Sequence, residues 1–376
     1  MHDTDRDLLP EGLGDRSPAQ AAAASRVRRA SLDVFASHGY DRVETPTIEF
    51  EKSMASRMAG VQPRRMFRLV DPVSLRTLSL RSDITVQVGR IAATSLAARP
   101  RPLRLCYCGQ VLTIKGDGLD PARERLQVGA ELIGADSVAA AAEVVVLAIE
   151  ALEQAGATGI SIDLTLPDLV DTLAAEALPL APSQIEAVRR ELDSKDAGGL
   201  VDAGGAAYLP LLYAVGPFDQ AIARLTAFDT DGALASRIAG LREIAERIDG
   251  RARVTLDPSE RHGFEYQSWF GFMIYASGVQ GAVGRGGTYR ILGDTPDGEP
   301  ATGFSLYPDR LVELLADAAS ETTALFLPLG HDAQVAANQR AVGWRTVAAL
   351  SHADDPVALG CSHRLEGTEL VPLQTG

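Results

Sequence analysis

The stretch from Arg104 to Gly134, RLCYCGQVLTIKGDGLDPARERLQVGAELIG, predicts two strands joined by a long polar loop. In its second half an apolar set alternates with polar or small residues, the apolar set being Leu126, Val128, Ala130 and Leu132. A period of two places that set on one face of a strand. Gln127 and Glu131 then share the other face, with Gly129 leaving a gap between them. This pattern predicts the floor of a site for a small polar ligand; the alternative is a strand whose polar face meets water.

Composition limits the classes of function. The 376 residues include 36 basic and 50 acidic side chains, a net charge of -14. Proteins that bind nucleic acid cluster basic residues to displace counterions, so the acidic balance argues against a nucleic-acid partner. The six histidines show no ligand spacing, and we expect no metal. Three cysteines suit a reducing compartment, and neither a secretory signal nor a long apolar run occurs, so we expect a cytoplasmic protein without a membrane span.

The first hundred residues alternate helix and strand signals. Ser17 and Pro18 are typical of a helix start, and the helix is expected to reach Ser37. A strand follows through Val43 and Thr45, where Pro46 confines it to an edge or an interface. A hairpin is predicted over 66–80, and then a helix from 84 to about 98.

Beyond the central hairpin, a helix capped by Asp136 or Ser137 leads to a mostly helical insertion over about 167–250. Strands return between 264 and 306, followed by a helix. Antiparallel strands interrupted by helices indicate an α+β fold with helices flanking one sheet. We therefore expect a core over 1–320 and a small C-terminal α/β segment over 321–376.

In this order the segments resemble the catalytic core of class II aminoacyl-tRNA synthetases, and histidyl-tRNA synthetase most closely. PEGLGDRSP resembles that family's opening segment, and GYDRVETPTIE its first motif, with Pro46 at the dimer-interface proline. RLCYCGQVL through RLQVGAELIG resembles the second motif, and ATGFSLYPDR, ending at Arg310, the third. The resemblance covers roughly 9–318 and implies the class II antiparallel sheet.

The nucleotide site departs from the family pattern. An arginine and a glutamate of the synthetases correspond here to Thr113 and Lys115. The family arginine holds the α-phosphate of ATP, and a cation aimed at developing charge supplies about 100- to 1000-fold in rate. The resemblance thus implies a vestigial nucleotide site at Thr113, Lys115 and Arg310, with no catalytic residues. The short C-terminal part is also too small for an anticodon-binding domain.

The amino-acid pocket matches the family better. The resemblance implies six histidine-binding residues: Asp83, Thr85, Gln127, Glu131, Arg261 and Tyr266. In this scheme the first three surround an α-ammonium group, and Arg261 pairs with a carboxylate. Glu131 and Tyr266 suit an imidazole. One family tyrosine is replaced by Glu265.

A synthetase-like core with an altered ATP site, a histidine pocket and a short C-terminus resembles the ATP phosphoribosyltransferase regulatory subunits. That resemblance implies a non-catalytic protein, dimeric by itself, in a hetero-oligomer, described as an octamer, with a short-form catalytic subunit. It implies L-histidine as effector and no cofactor.

Three alternatives remain at this point. The first is that the chain is an active, histidine-activating enzyme. Arg310 and the glycines Gly284, Gly286 and Gly287 favour it, although an ion pair would also explain Arg310 and a tight hairpin the glycines. The second is that the chain is itself the phosphoribosyltransferase, with DGEPATG at 297–303 as a phosphate-binding turn. The third is that it is a scaffold without a ligand pocket.

Overall fold

The computed structural model describes residues 8–55, 66–116, 120–261, 267–292, 298–317 and 324–373. The chain divides into two compact units, Met1–Ala316 and Asp317–Gly376. Tyr266 and Asp297, the first residue of the DGEPATG segment, lie outside the described residues, whereas residues 299–303 lie within a strand.

The helices of the larger unit begin where the sequence supplies caps. Ser17 caps α1 in a reciprocal arrangement with Gln20, and Ser137 caps α4. The helices are α1 (Pro18–Ser37), α2 (Glu51–Ala55), α3 (Thr85–Ala93), α4 (Val138–Gln154), α5 (Leu169–Glu176), α6 (Pro182–Asp193), α7 (Ala197–Asp202), α8 (Phe218–Phe228), α9 (Ala235–Ile248) and α10 (Asp309–Asp317), with a 3₁₀ helix over Ala206–Tyr213. The predicted helix to about Ala98 is too long, because the Thr94 hydroxyl bonds back to the Arg90 carbonyl where α3 ends.

One nine-stranded sheet organises this unit. Its order is β1-β5-β6-β12-β11-β10-β7-β9-β8. The strands are β1 (Asp41–Arg42), β5 (Leu103–Leu112), β6 (Glu124–Ile133), β7 (Ser161–Thr165), β8 (Gly216–Pro217), β9 (Arg253–Leu256), β10 (Gln267–Tyr275), β11 (Gly284–Ile291) and β12 (Glu299–Leu306). In the described part of this sheet the β1/β5 and β7/β9 pairs are parallel and the other pairs are antiparallel, so the expected antiparallel sheet is confirmed.

Both faces of the central strands are covered. Leu126, Val128, Ala130 and Leu132 belong to the main core, together with the apolar residues of α4. The opposite face meets α3, whose Val86 and Val88 join a second core with residues of β5 and β11. Because α3 covers it, the polar face of β6 does not meet water, and the alternative of a half-solvated strand is wrong.

The segment around Pro46 departs from the predicted strand. Val43 and Thr45 lie between two short strands, β1 and β2 (Ile48–Phe50), instead of within one. Thr45 cannot continue a ladder because its hydroxyl donates to Gln87 at 2.6 Å and its carbonyl accepts from Arg81 at 2.9 Å. β2 joins a separate three-stranded sheet with β4 (Thr77–Leu80) and β3 (Arg68–Val70), which confirms the predicted hairpin. Pro46 itself is exposed.

The smaller unit has its own sheet, ordered β14-β13-β15-β16. Its elements are β13 (Ala324–Leu327), α11 (Ala333–Ala341), β14 (Arg345–Ala348), β15 (His363–Glu366) and β16 (Glu369–Pro372). Leu325, Leu327, Ala336 and Leu365 form its principal core. About 60 residues with a core this small form a marginally stable unit.

Among the described residues, no helix has the length and apolar character needed to cross a membrane. Within the same part of the chain, no group of three or more histidine, cysteine or acidic side chains is arranged to hold a metal ion.

Candidate functional site

The polar residues of β6 anchor a buried hydrogen-bonded network. Gln127 and Glu131 are both 0% exposed. The Gln127 side-chain oxygen accepts from the Ile84 backbone at 2.9 Å. Its amide nitrogen donates to Asp83 at 2.9 Å and to Ser305 at 2.8 Å. All hydrogen-bonding hydrogens of this amide are therefore used, as a buried amide requires, and Gln127 ties β6 to the segment that begins α3.

The gap over Gly129 is filled by a protein side chain. Tyr107 pairs with Gly129 across the hairpin, and a β-carbon at Gly129 would lie 2.4 Å from the Tyr107 hydroxyl. That hydroxyl also lies 2.9 Å from Thr85 and 2.9 Å from Ser305. The absence of a side chain at Gly129 thus admits a tyrosine, and the prediction that it leaves open space for a ligand is wrong for this structure.

Glu131 is held by two tyrosines. Tyr107 donates to one carboxyl oxygen at 3.0 Å, and Tyr289 donates to the other at 2.7 Å. The Glu131 side chain lies over Gly303 of β12, where any larger residue would collide with it. Burial raises the pKa of Glu131 to about 8, although the hydrogen bonds from Tyr289, Thr85 and Tyr107 oppose the rise.

The network has an uneven charge. Among the described residues it contains two carboxyl groups, Asp83 and Glu131, joined by amide and hydroxyl groups and no basic side chain. Asp83 is half-buried, whereas Glu131 and its tyrosine partners are buried. A ligand that fits would bring a positive charge to Asp83, and it would have to displace a tyrosine hydroxyl or a covering side chain to reach Glu131.

The structure brings Asp83, Thr85, Gln127 and Glu131 together; the contacts of Arg261 lie elsewhere. The Arg261 backbone donates to Asp193 at 2.8 Å, and its guanidinium is 3.3 Å from Glu186 on α6. Its Nε is buried and has no hydrogen-bond partner among the described residues. Arg261 is therefore engaged by the helical insertion in this structure, and Tyr266 lies outside the described residues. Histidine binding by these six residues stays a prediction.

The residues of the altered nucleotide site are occupied with local contacts. The Thr113 hydroxyl donates to the Lys115 carbonyl at 2.8 Å, and the Lys115 side chain is exposed. Arg310, the second residue of α10, lies 3.7 Å from Asp120. Arg310 thus forms the ion pair that was the alternative to a nucleotide contact. Gly284, Gly286 and Gly287 lie within β11, so the tight-hairpin alternative for them is wrong.

Sequence reasoning missed three members of the network: Tyr107, Tyr289 and Ser305. The hairpin register carried a signal for Tyr107, because pairing β5 with β6 places it opposite Gly129. No local signal marked Tyr289 or Ser305, which are 158 and 178 residues from their partners Glu131 and Gln127.

Comparisons with known proteins agree on a family. The family model of histidyl-tRNA synthetase matches residues 12–311. A Rhodospirillum centenum protein described as an ATP phosphoribosyltransferase regulatory subunit is 42% identical, over 98% of this chain and 96% of its own. A Paramagnetospirillum magneticum protein with the same description is 41% identical, over 98% of both chains.

Solved structures show the same fold. A Bacillus halodurans protein described as an ATP phosphoribosyltransferase regulatory subunit/histidyl-tRNA synthetase superposes with a TM-score of 0.79 at 23% identity, covering 96% of this chain and 97% of that one. The histidyl-tRNA synthetase of a Nostoc species gives a TM-score of 0.78 at 16% identity, covering 95% of this chain and 90% of its own.

Proposed function

The chain belongs to the ATP phosphoribosyltransferase regulatory subunits, which share the histidyl-tRNA synthetase fold, and we propose that it binds L-histidine at the Gln127–Glu131 network. It is a non-catalytic regulatory subunit. In the proposed assembly it is required by a short-form catalytic subunit for the first step of histidine biosynthesis and transmits feedback inhibition by L-histidine.

The charge of the network is the observation that carries the histidine proposal. Asp83 is half-buried and accepts a hydrogen bond from Gln127 at 2.9 Å, which leaves it lone pairs for an ammonium group. Glu131 lies deeper and is suited to accept a hydrogen bond from an imidazole N–H. A site with two acids and no base selects against phosphate and for a small cationic or zwitterionic ligand. The carboxylate of such a ligand needs Arg261, which must first leave Glu186.

Calorimetric titration of L-histidine into the wild-type chain and into Glu131→Gln tests this role. A bound imidazolium favours the carboxylate form of Glu131, and losing a hydrogen bond to a charged group costs about 1.5–3 kcal/mol, so we expect histidine to bind Glu131→Gln roughly 10- to 150-fold more weakly. Leu132→Ala, on the opposite face of β6, is the matched control and should lower stability without a selective effect on affinity. Equal affinities of wild type and Glu131→Gln would place the histidine elsewhere.

The partner role is tested with the short-form catalytic subunit. The two chains should co-purify, and ATP phosphoribosyltransferase activity should require this chain. Independent purification and full activity of the catalytic subunit alone would contradict the proposal.

We further propose a dimer of this chain within a hetero-octamer, located in the cytoplasm and without tRNA as a partner. The exposed Pro46, next to the edge strand β1, supports a contact with a second copy. The free cysteines Cys106, Cys108 and Cys361 suit a reducing compartment. Sedimentation at micromolar concentration should give a dimer; a monomer of 39.8 kDa would contradict the proposed dimer.

A further inference from the structure

Lys195 adopts a backbone conformation that a side chain disfavours. It follows the C-cap of α6 with φ +58°, in the left-handed region. The Asp196 and Lys195 backbone amides donate to the carbonyls of Glu191 and Leu192, at 2.9 and 3.2 Å. These two bonds form the helix-ending motif in which glycine is the usual residue at the left-handed position. A lysine here is strained relative to glycine, so its side chain should have a use.

The Lys195 ammonium group holds the end of β9. Its Nζ lies 2.8 Å from Asp257 and 2.8 Å from Ser259, which are 7% and 8% exposed. The same Asp257 carboxylate accepts from the Ser259 backbone at 3.1 Å, and the Asp257 amide donates to the Leu164 carbonyl at 2.9 Å. One cation therefore fixes the turn that follows β9 to the end of α6.

That turn leads directly to Arg261. The Thr165 hydroxyl donates to the Glu260 carbonyl at 2.5 Å, and Asp193 accepts from the Arg261 backbone at 2.8 Å. The Arg261 backbone is thereby fixed, whereas the contacts of its guanidinium within the described residues are long ones to Glu186, whose side chain is 72% exposed. Arg261 also borders a small, partly open cleft beside Arg189 and Leu192. The backbone is therefore held by short hydrogen bonds, and the guanidinium by long contacts to an exposed partner.

We propose that Lys195 is a positioning residue for the effector site: it holds the segment 257–261 in place, so that Arg261 is available to a ligand carboxylate after a side-chain rotation. Glu186 on α6 competes for the same guanidinium. This inference rests on the proposed histidine site and assigns part of its regulation to the helical insertion, because α6 both holds the segment and competes with the ligand.

Lys195, which holds the segment, and Glu186, which competes for Arg261, should have opposite effects on histidine affinity. In Lys195→Gly the strain at the helix end is relieved, but the segment must be ordered on binding, so histidine should bind about tenfold more weakly. Glu186→Gln removes an exposed competitor and should bind histidine about 1.5- to 5-fold more tightly. Lys195→Arg keeps the cation and should restore most of the affinity. The measurement is calorimetric titration of the full-length chain.

Thermal unfolding and amide hydrogen exchange of the same variants complete the test. The Tm of Lys195→Gly should fall, because the buried Asp257 loses its cation, and exchange in 257–261 should become faster without histidine. A lower Tm with unchanged histidine affinity would assign Lys195 a structural role only and overturn the proposal. Unchanged exchange would show that Lys195 does not hold residues 257–261 in place, whether or not a ligand binds. Absence of histidine binding by wild type would overturn the effector role of both the network and Lys195.

Discussion

At the scale of single residues, Glu131 is subject to two opposing effects. Removal of its carboxyl group from water favours the neutral form, whereas hydrogen bonds donated by Tyr107 and Tyr289 favour the carboxylate. The Tyr107 hydroxyl has a single hydrogen, which it donates to Glu131. Thr85 and Ser305 lie within hydrogen-bonding distance and can donate their own hydroxyl hydrogens to the Tyr107 oxygen. Burial is the larger effect, and the pKa rises from 4.5 to about 8.

This pKa predicts how stability depends on pH. The folded chain binds a proton at Glu131 more tightly than the unfolded chain does, so between about pH 5 and pH 8 the folded state carries the extra proton. The free energy of unfolding should therefore fall as pH rises through this window, by at most about 1.4 kcal/mol per pH unit from this group. Urea unfolding of wild type and Glu131→Gln at pH 5, 6.5 and 8 measures it. The variant lacks the titration and should show a shallower decline; parallel curves would contradict the assignment.

At the scale of elements, each strand of the β5–β6 hairpin carries a glycine that admits a larger side chain over the sheet. Tyr107 occupies the space over Gly129, and Arg81 occupies the space over Gly109, where a β-carbon would lie 2.3 Å from the guanidinium. The Arg81 side chain donates to the carbonyls of Gln110 and Thr45, at 2.7 and 2.9 Å. Burial lowers the pKa of Arg81. Glycines in these strands thus admit the side chains that cover the sheet.

Gly129→Ala tests this packing. The added methyl group would lie 2.4 Å from both the Tyr107 hydroxyl and the Phe304 carbonyl, and neither can move without breaking its own bonds. We expect a loss of about 1–3 kcal/mol in the free energy of unfolding, the usual cost of overpacking a core. Gly14→Ala is the control, because a methyl group there meets no atom within 4 Å. Equal stability of the two variants would show that Tyr107 does not fill this space in solution.

The same hairpin shows what sequence could and could not predict. The period of two correctly separated Leu126 and Val128 from Gln127, because side-chain alternation is a local property of a strand. The pattern could not tell whether the polar face meets water or a helix, since α3 covers it only in the folded chain. Contacts between residues far apart in sequence could not be predicted either, because they form only in the folded chain. The pairing of Arg261 with Glu186 joins residues 75 positions apart, and no local pattern encodes it.

At the scale of the whole molecule, a synthetase fold serves as a regulatory subunit. The fold and the family were predictable from the order of the three motifs, whereas the ligand-free arrangement of the site was not. Thr113 stands where the synthetase family has a phosphate-binding arginine, and Arg310 pairs with Asp120. Neither residue provides a free cation aimed at a nucleotide phosphate.

We therefore expect no aminoacyl adenylate. Histidine-dependent exchange of pyrophosphate into ATP should stay at background in the wild-type chain. Thr113→Arg alone should not restore it, because Lys115 also departs from the family pattern. Robust exchange that depends on histidine would contradict the non-catalytic role.

The most direct test of the central claim is the histidine concentration that half-inhibits the assembled complex with its short-form catalytic subunit. The complex should be prepared once with the wild-type chain and once with Glu131→Gln, and assayed at saturating substrates. If the buried network receives the effector, a bound imidazolium favours the carboxylate form of Glu131, and the variant, which cannot supply that charge, should need roughly 10- to 150-fold more histidine for half-inhibition. The same half-inhibiting concentration in both complexes would contradict the account, because inhibition would then act through a site that does not include Glu131.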